Sequence, residues 1–456
     1  MAFLSIKEIS MKKYDAVIIG FGKAGKTLAA YLANKDKHVA IIEKDKNMYG
    51  GTCINVGCIP TKYLVHKSTF AKEFSTFLQK AEYYKKSILE KIEFISKLRG
   101  VNYHKLADNQ NIEVFTGEGS FLNNHEIEIR SEKETISISG EDIYINTGST
   151  SFIPPIDGLK DNNFVFTSNT LLDLKILPET LLIIGGGNIG LEYANIYSNF
   201  GSKVIVLSTD STFMKREDTE VGEIILDVFK NKNIDVKLGI KIVKIEGNKV
   251  IYTLNDKEFV ISGDAILVAT GRIPNTRGLS LEKANVKTNE RGGIIVDKNL
   301  RTNIDNIYAL GDCNGGLQFT YVSLDDFRII KSNLEGKNYD LTKRKNVPYS
   351  IFIEPSLGRV GLNENEAKQK DLDYKVLRVE MKSHPKAKLL EDDKGFIKVL
   401  VDNKSHLILG ATLLCEEAFE LINYIKLAMD HDIKYEDLVN TIYTHPTMSE
   451  AFNDLK

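Results

Sequence analysis

The chain has 456 residues and no tryptophan, and its 60 basic and 62 acidic side chains leave a net charge of −2. That length holds about three domains. The near balance of charge argues against a nucleic-acid or polyanion binder, and no apolar run approaches the ~20 residues that cross a bilayer. Four cysteines are too few for a disulfide scaffold and fit a reducing, cytoplasmic setting with one reactive pair.

The opening MAFLSIKEISMKK carries too short and too interrupted an apolar region for a secretory signal, and Met11 stands as an alternative start. From Tyr14 the chain reads YDAVIIGFGKAGKTLAAYLANKDKHVAIIEK, which predicts a strand, a glycine turn, a helix and a second strand ending at Glu43. Gly20, Gly22 and Gly25 fit G-x-G-x-x-G, with Glu43 about 20 residues further on. The glycines let backbone approach a pyrophosphate at the helix start, and the carboxylate accepts from ribose hydroxyls. The same residues, GFGKAGKT, also satisfy the P-loop pattern, with Lys26 for terminal phosphates and Thr27 for magnesium. That reading leaves Gly22 and Glu43 unused. Lys23 and Lys26 then read as solvated surface charge.

Gly50 to Lys62 is GGTCINVGCIPTK. A regular helix would hold the Cα atoms of Cys53 and Cys58 about 8–9 Å apart, whereas a disulfide needs them within roughly 7 Å. A bridge here requires a distorted turn, which Gly57 permits, and a helix is expected to begin at Pro60. Unpaired N–H groups and the positive dipole end at such a start lower a thiol pKa, a setting for thiol–disulfide exchange. Two inert buried cysteines are the plain alternative, and they leave Gly50-Gly51 unexplained. This stretch resembles the redox-active motif of the class I pyridine nucleotide-disulfide oxidoreductases, the family of lipoamide dehydrogenase, glutathione reductase and mercuric reductase.

Residues 63–99 predict a helical hairpin, and residues 111–148 short strands and turns ending in YINTGS, with Gly148 in the turn and a linker at Pro154-Pro155. A second fingerprint follows in LLIIGGGNIGLEYANIYSNFGSKVIVLS, with Gly185, Gly187 and Gly190. Two copies flanking a cysteine pair imply two dinucleotides, a flavin and a nicotinamide. Ser208 stands where a carboxylate would repel a 2′-phosphate, and Lys215 and Arg216 lie near enough in sequence to pair with one, which favours NADPH, with NADH as the alternative. Strands are expected around 234–262. DAILVATGRIPNT, containing Gly271, and NIYALGDCNGG, containing Asp312 and a core-type Cys313, resemble the family's return to its flavin domain. The strands GFIKVLVD and LILGATLLC, the latter ending in a core Cys415, precede the terminal HPTMSEAFNDLK. There Pro446 is suited to start a helix, and Glu450 to orient the imidazole of His445.

The resemblance covers the chain from about Met11 onward. It implies an α/β fold with two Rossmann-like dinucleotide-binding domains and a C-terminal α+β dimerisation domain. Residues 11–149 and 264–335 would bind FAD, residues 150–263 NAD(P)H, and residues 336–456 would dimerise. By the same resemblance Cys53 attacks substrate, Cys58 faces the flavin, Gly51 and Thr52 line it, and Lys62 and Glu192 pair beside it. Asp312 binds the flavin's ribityl or pyrophosphate region. His445, with Glu450, serves as acid/base for the partner's disulfide in a homodimer with shared active sites. No metal site is expected. No cysteine follows Cys415, which disfavours a mercuric reductase or a large thioredoxin reductase. The segments GFGKAGKTLA, MYGGTCINVGCIPTK and GGLQFTYVSLDD most resemble the bacterial branch that defends against reactive chlorine species and hypothiocyanous acid. A small oxidant, foremost hypothiocyanous acid, is the expected substrate. Lipoamide dehydrogenase and glutathione reductase are the alternatives, and a flavin-bearing redox sensor or structural subunit is the non-catalytic one.

Overall fold

The computed structural model describes residues 11–456. The leader reading made on residues 1–10 lies outside the described residues. The chain divides into two compact units, one of residues 11–61, 90–152 and 272–343, the other of residues 62–89, 153–271 and 344–456.

The first unit is built on a parallel sheet ordered Ile112–Thr116, Val39–Glu43, Lys12–Ile19, Thr135–Ile145. Strand Ile307–Ala309 joins the end of Thr135–Ile145, also in parallel, while Glu126–Arg130 and Glu118–Phe121 extend its beginning antiparallel. Ala16 to Ile19 are all buried, so this strand is an unbroken apolar run rather than an alternation, as a sheet covered on both faces requires. Val17 and Ile18 are 0% exposed, and burial of each such side chain stabilises by about 1.5–3 kcal/mol. Helix Lys23–Ala33 then lays Ala24, Leu28, Ala29, Leu32 and Ala33 inward, the i, i+4, i+8 stripe of an amphipathic helix.

In the second unit, strands Ile234–Lys237, Lys203–Leu207, Thr180–Ile184, Ala265–Val268 and Val165–Thr167 form another parallel sheet in that order. Strands Lys241–Glu246, Lys249–Leu254 and Lys257–Ser262 make an antiparallel meander. The C-terminal segment is an antiparallel sheet, Tyr349–Ile351, Leu357–Gly361, Ile408–Leu414, Phe396–Asp402, Tyr374–Glu380, which helix Ala418–Asp430 covers with Leu421, Ile422, Ile425 and Ala428. Among the described residues no helix is long and apolar enough to cross a membrane.

The expected hairpin consists of Cys58–Ala71 and Phe77–Ala107. Two helix starts differ from expectation. The first begins at Cys58, with Pro60 already its third residue. The last begins at Met448 rather than Pro446, because the Thr447 side chain and the Glu450 carboxylate close a capping box there.

Candidate active site

Strand Lys12–Ile19 ends at Gly20, whose φ is +108°; a Cβ there would sit 2.3 Å from the Asn146 carbonyl oxygen, so only glycine fits. Asn146 then ties the turn together: its Oδ1 accepts the Gly25 N–H at 2.9 Å and its Nδ2 donates to the Leu310 carbonyl at 2.7 Å. Gly22 precedes the helix, and a Cβ on it would lie 2.6 Å from Asn146 Oδ1; Ser323 Oγ accepts the next free N–H of the helix start, that of Ala24, at 3.3 Å. Glu43, at the end of the second strand, accepts the Phe21 N–H at 3.0 Å and the Asp45 N–H at 3.3 Å. Burial raises its carboxyl pKa, and those N–H groups work against the rise.

Gly51 rests against this turn. Its φ is +82°, and a Cβ on it would lie 2.7 Å from Gly22 Cα, which brings the cysteine segment directly onto the first glycine turn. Thr52 opens the short helix Thr52–Asn55 that carries Cys53. Asn55 pins it, donating to the carbonyls of Tyr49 and Gly51 at 2.9 Å each and accepting from Arg99 Nε at 2.8 Å.

Both cysteines are thiols in this structure; Cys53 is half-buried and Cys58 exposed, so the inert buried pair is not what the fold builds. Cys58 heads helix Cys58–Ala71. Its Sγ lies 3.4 Å from the hydroxyl of Thr320, the first residue of helix Thr320–Leu334. The sequence predicted a lowered thiol pKa, and for Cys53 the structure reverses that. Its pKa is raised, first because its S–H donates to Cys58 and next because it is buried, with Thr320 and Lys26 pulling weakly the other way. The helix start that favours a thiolate belongs to Cys58, while Cys53 sits in a separate turn.

Lys26 is also not the solvated charge expected of it. Its Nζ donates to Asn102 Oδ1 at 2.6 Å and to the Gly50 carbonyl at 3.4 Å, and burial pushes its pKa down to about 8. Thr27 donates to the Lys23 carbonyl at 2.6 Å, so the residues that a P-loop would turn to phosphate and magnesium are engaged with the protein itself.

Asp312 Oδ2 accepts from Ser149 Oγ at 2.7 Å, and Arg272 donates to the same hydroxyl at 2.9 Å; burial raises the Asp312 carboxyl pKa. Gly148 has φ +70° and nothing within 4 Å of a Cβ. Beside it, Thr147 Oγ1 is buried with no hydrogen-bond partner among the described residues. A glycine turn with no side chains at Gly20 and Gly22, a Glu at the second strand end and an orphaned hydroxyl at the next turn fit a flavin dinucleotide. Cys313 is fully buried and donates to the Ile145 and Leu310 carbonyls at 3.3 Å.

The second glycine turn, in the other unit, repeats the first. Gly185 has φ +116° with a Cβ position 2.4 Å from the Ala269 carbonyl, Gly190 packs on Gly185, and Gly187 faces open space. Gly271 has φ +123° and is likewise unobstructed. Glu192 is 7% exposed in helix Asn188–Asn199. Its two carboxylate oxygens accept from Lys62 Nζ at 2.8 and 2.6 Å, and Oε1 also accepts the Phe352 N–H at 3.1 Å. Lys62 Nζ stands 4.3 Å over the Phe352 ring. Ser208 follows strand Lys203–Leu207, buried, its hydroxyl accepting the Asp210 N–H at 3.3 Å. Lys215 pairs with Asp210 at 2.5 Å.

His445 Nδ1 lies 3.0 and 3.1 Å from the two oxygens of Glu450. A carboxylate only accepts, so Nδ1 carries a proton, and in the neutral ring the lone pair is on Nε2. The imidazole is 72% exposed. Glu450 also accepts the Thr447 N–H at 3.0 Å, and that bond first, His445 second, holds its carboxyl below the ordinary value. The carboxylates of Asp218, Glu220 and Glu364 converge as well, but on the buried ammonium of Lys398, with Arg378 also paired to Glu220 and Lys368 to Glu364.

Asn146, Thr320, Arg99 and the buried His384 behind Thr447 were not singled out from sequence. The Asn within YINTGS is the one local signal, a polar residue breaking an apolar strand just before a turn.

The family model described as pyridine nucleotide-disulphide oxidoreductase matches residues 14–326, and that of the same family's dimerisation domain matches residues 347–456. The chain is 44% identical over 446 residues to the probable pyridine nucleotide-disulfide oxidoreductase RclA of Escherichia coli, covering 98% of this chain and 99% of that one. A solved structure of the Cu(II) complex of the HOCl-induced flavoprotein disulfide reductase RclA from Escherichia coli superposes with a TM-score of 0.92 at 44% identity, covering 98% of this chain and 99% of that one. Glutathione reductase of Burkholderia cepacia is 31% identical over 459 residues, covering 98% of this chain and 99% of that protein.

Proposed function

This chain belongs to the pyridine nucleotide-disulphide oxidoreductase family, in the branch of RclA, and from that premise we propose that it reduces a small electrophilic oxidant, with hypothiocyanous acid the preferred substrate. One observation carries the reading. Of four cysteines, Cys313 and Cys415 are 0% exposed, so Cys53 and Cys58 are the only thiols within reach of a solute. No third thiol passes electrons outward, so a substrate meets this pair directly, and a small electrophile needs no recognition groups beyond it.

FAD, which Gly20, Gly22, Glu43 and Asp312 would hold, would supply the hydride-to-electron-pair chemistry that links a nicotinamide to the thiol pair. The chain's own residues do the rest. Cys53 attacks the electrophilic sulfur of hypothiocyanous acid, forming an S–S bond as hydroxide departs as water. Cys58 then attacks Cys53, releasing thiocyanate and leaving the disulfide. The dithiol and one hypothiocyanous acid give the disulfide, thiocyanate, water and one proton. The hydrogen bond with Cys58 and burial raise the Cys53 thiol pKa, so a base assists the attack, and His445 Nε2 from the second subunit of a homodimer is the group suited to it. Lys62 and Glu192 hold one another at 2.8 and 2.6 Å, in the helix that follows Cys58 and the helix that follows the second glycine turn. Ser208 places no carboxylate against a 2′-phosphate, and the exposed Lys215–Asp210 pair, worth about 0–1 kcal/mol, opens cheaply to one, which favours NADPH.

The relative solved as a Cu(II) complex supports a second reading, reduction of Cu(II) at the same thiols. NADPH oxidation measured under one condition with hypothiocyanous acid, glutathione disulfide, lipoamide, Hg(II) and Cu(II) tests both. The proposal requires the highest kcat/KM with hypothiocyanous acid, and uniformly slow turnover would point to a redox sensor.

A further inference from the structure

His384 follows the turn Met381–Ser383 and precedes the short helix Pro385–Leu389, and it is 2% exposed. Its Nε2 lies 3.0 Å from the Thr447 carbonyl oxygen. A carbonyl only accepts, so Nε2 carries a proton and donates it. The other ring nitrogen, Nδ1, is buried with no hydrogen-bond partner among the described residues. A position that merely needed filling would be better served by an apolar side chain, because an unsatisfied buried nitrogen is unfavourable. What the imidazole contributes here is the Nε2 donor.

Thr447, which receives that donor, is held at every polar atom. Its N–H donates to Glu450 Oε2 at 3.0 Å, its Oγ1 donates to the Thr444 carbonyl at 2.7 Å and lies 2.9 Å from Ser449 Oγ, and its carbonyl takes His384. Anchors on both sides of its Cα fix Thr447 at φ −135° and ψ 161°. That conformation sets how His445, two residues earlier, meets Glu450, three residues later, at 3.0 Å.

We infer that His384 is a positioning residue for the His445–Glu450 pair, holding the Thr447 carbonyl so that His445 keeps its Nδ1 proton on Glu450 and turns Nε2 outward. The inference rests on the reading of His445 as the acid/base. His384 touches neither substrate nor cofactor.

The test compares His384→Leu, His384→Gln and His445→Ala holoenzymes. Glutamine carries an amide N–H near the place of Nε2; leucine carries none. His384→Leu should lower kcat for oxidant reduction on the order of tenfold and displace the ionisation in the pH–rate profile that His445→Ala abolishes. Flavin content, KM for NADPH and the rate of flavin reduction by NADPH should stay as in the parent. His384→Gln should recover kcat to within about twofold and restore the profile. If His384→Leu does not fold, His384→Asn replaces it, its amide one methylene short of Thr447. A parental kcat and pH profile in His384→Leu, with His445→Ala impaired, would overturn the positioning role alone. Parental turnover in His445→Ala would instead remove the acid/base reading beneath it.

Discussion

Gly51 lies so close to Gly22 that a Cβ on Gly51 would stand 2.7 Å from Gly22 Cα. The two loops that meet there are the glycine turn at the head of the first helix and the turn that opens into Cys53. Gly51→Ala should therefore injure both at once. The backbone at φ +82° and ψ −178° is open almost only to glycine and costs another residue about 1–3 kcal/mol; overpacking adds roughly 1–3 kcal/mol. The variant should lose bound flavin on dilution and melt several degrees lower. Parental flavin content and Tm would show that the contact relaxes freely.

The two thiols differ in setting, and their spectra should differ. In Cys53→Ser the remaining Cys58, at a helix start beside Thr320, should give the long-wavelength absorbance of a thiolate against oxidised flavin. Cys58→Ser should give none. Thr320→Val removes the hydroxyl 3.4 Å from Cys58 Sγ, and the band should then need a higher pH to develop. The reverse pattern in the serine variants would exchange the roles of the two cysteines.

Glu450 is held below its ordinary carboxyl value by the Thr447 N–H and by His445. A lowered native pKa contributes stability that is complete above the ordinary value of 4.5 and is lost as pH falls through the native value. Glu450→Gln should thus melt lower than the parent at neutral pH, and the gap should narrow as the pH drops below about 4.5. A gap that is constant from pH 7 to pH 3 would assign the loss to packing rather than charge.

Ser208→Glu sets a carboxylate at the end of strand Lys203–Leu207, where the nicotinamide dinucleotide's ribose would lie. The parent should prefer NADPH in kcat/KM, and the variant should prefer NADH because like charges repel a 2′-phosphate. Equal kcat/KM for the two in the parent would contradict the reading of Ser208.

How much of this was legible in the sequence follows from how far apart the interacting residues are. Gly20 and Gly185 announce themselves because a positive φ against a neighbouring carbonyl admits nothing else, and Glu43 and the Cys53–Cys58 spacing are local patterns. Both parallel sheets follow from apolar runs alternating with helix-period segments. The residues that finish the site are remote: Asn146 reaches Gly25, Thr320 reaches Cys58, and His384 reaches Thr447, each from a different element. No local spacing carries those pairings. The thiol pKa was misread for a related reason. The sequence places the helix start at Pro60, after both cysteines, and does not tell the two thiols apart, whereas the helix begins at Cys58 and leaves Cys53 in the preceding short helix, where its hydrogen bond with Cys58 and burial raise its pKa. Lys26 was read as solvated because nothing nearby in sequence shows Asn102 above it.

The central claim, that the Cys53–Cys58 dithiol itself consumes a small oxidant, is tested most directly by a single turnover. The reduced holoenzyme, freed of excess NADPH, is mixed with one equivalent of hypothiocyanous acid, and thiocyanate release and the sulfur state of each cysteine are followed in time. The account predicts one thiocyanate and one Cys53–Cys58 disulfide per site, formed within the time of one catalytic cycle, with Cys53→Ser inert. Oxidant lost without that disulfide, or lost as quickly with Cys53→Ser, would contradict it.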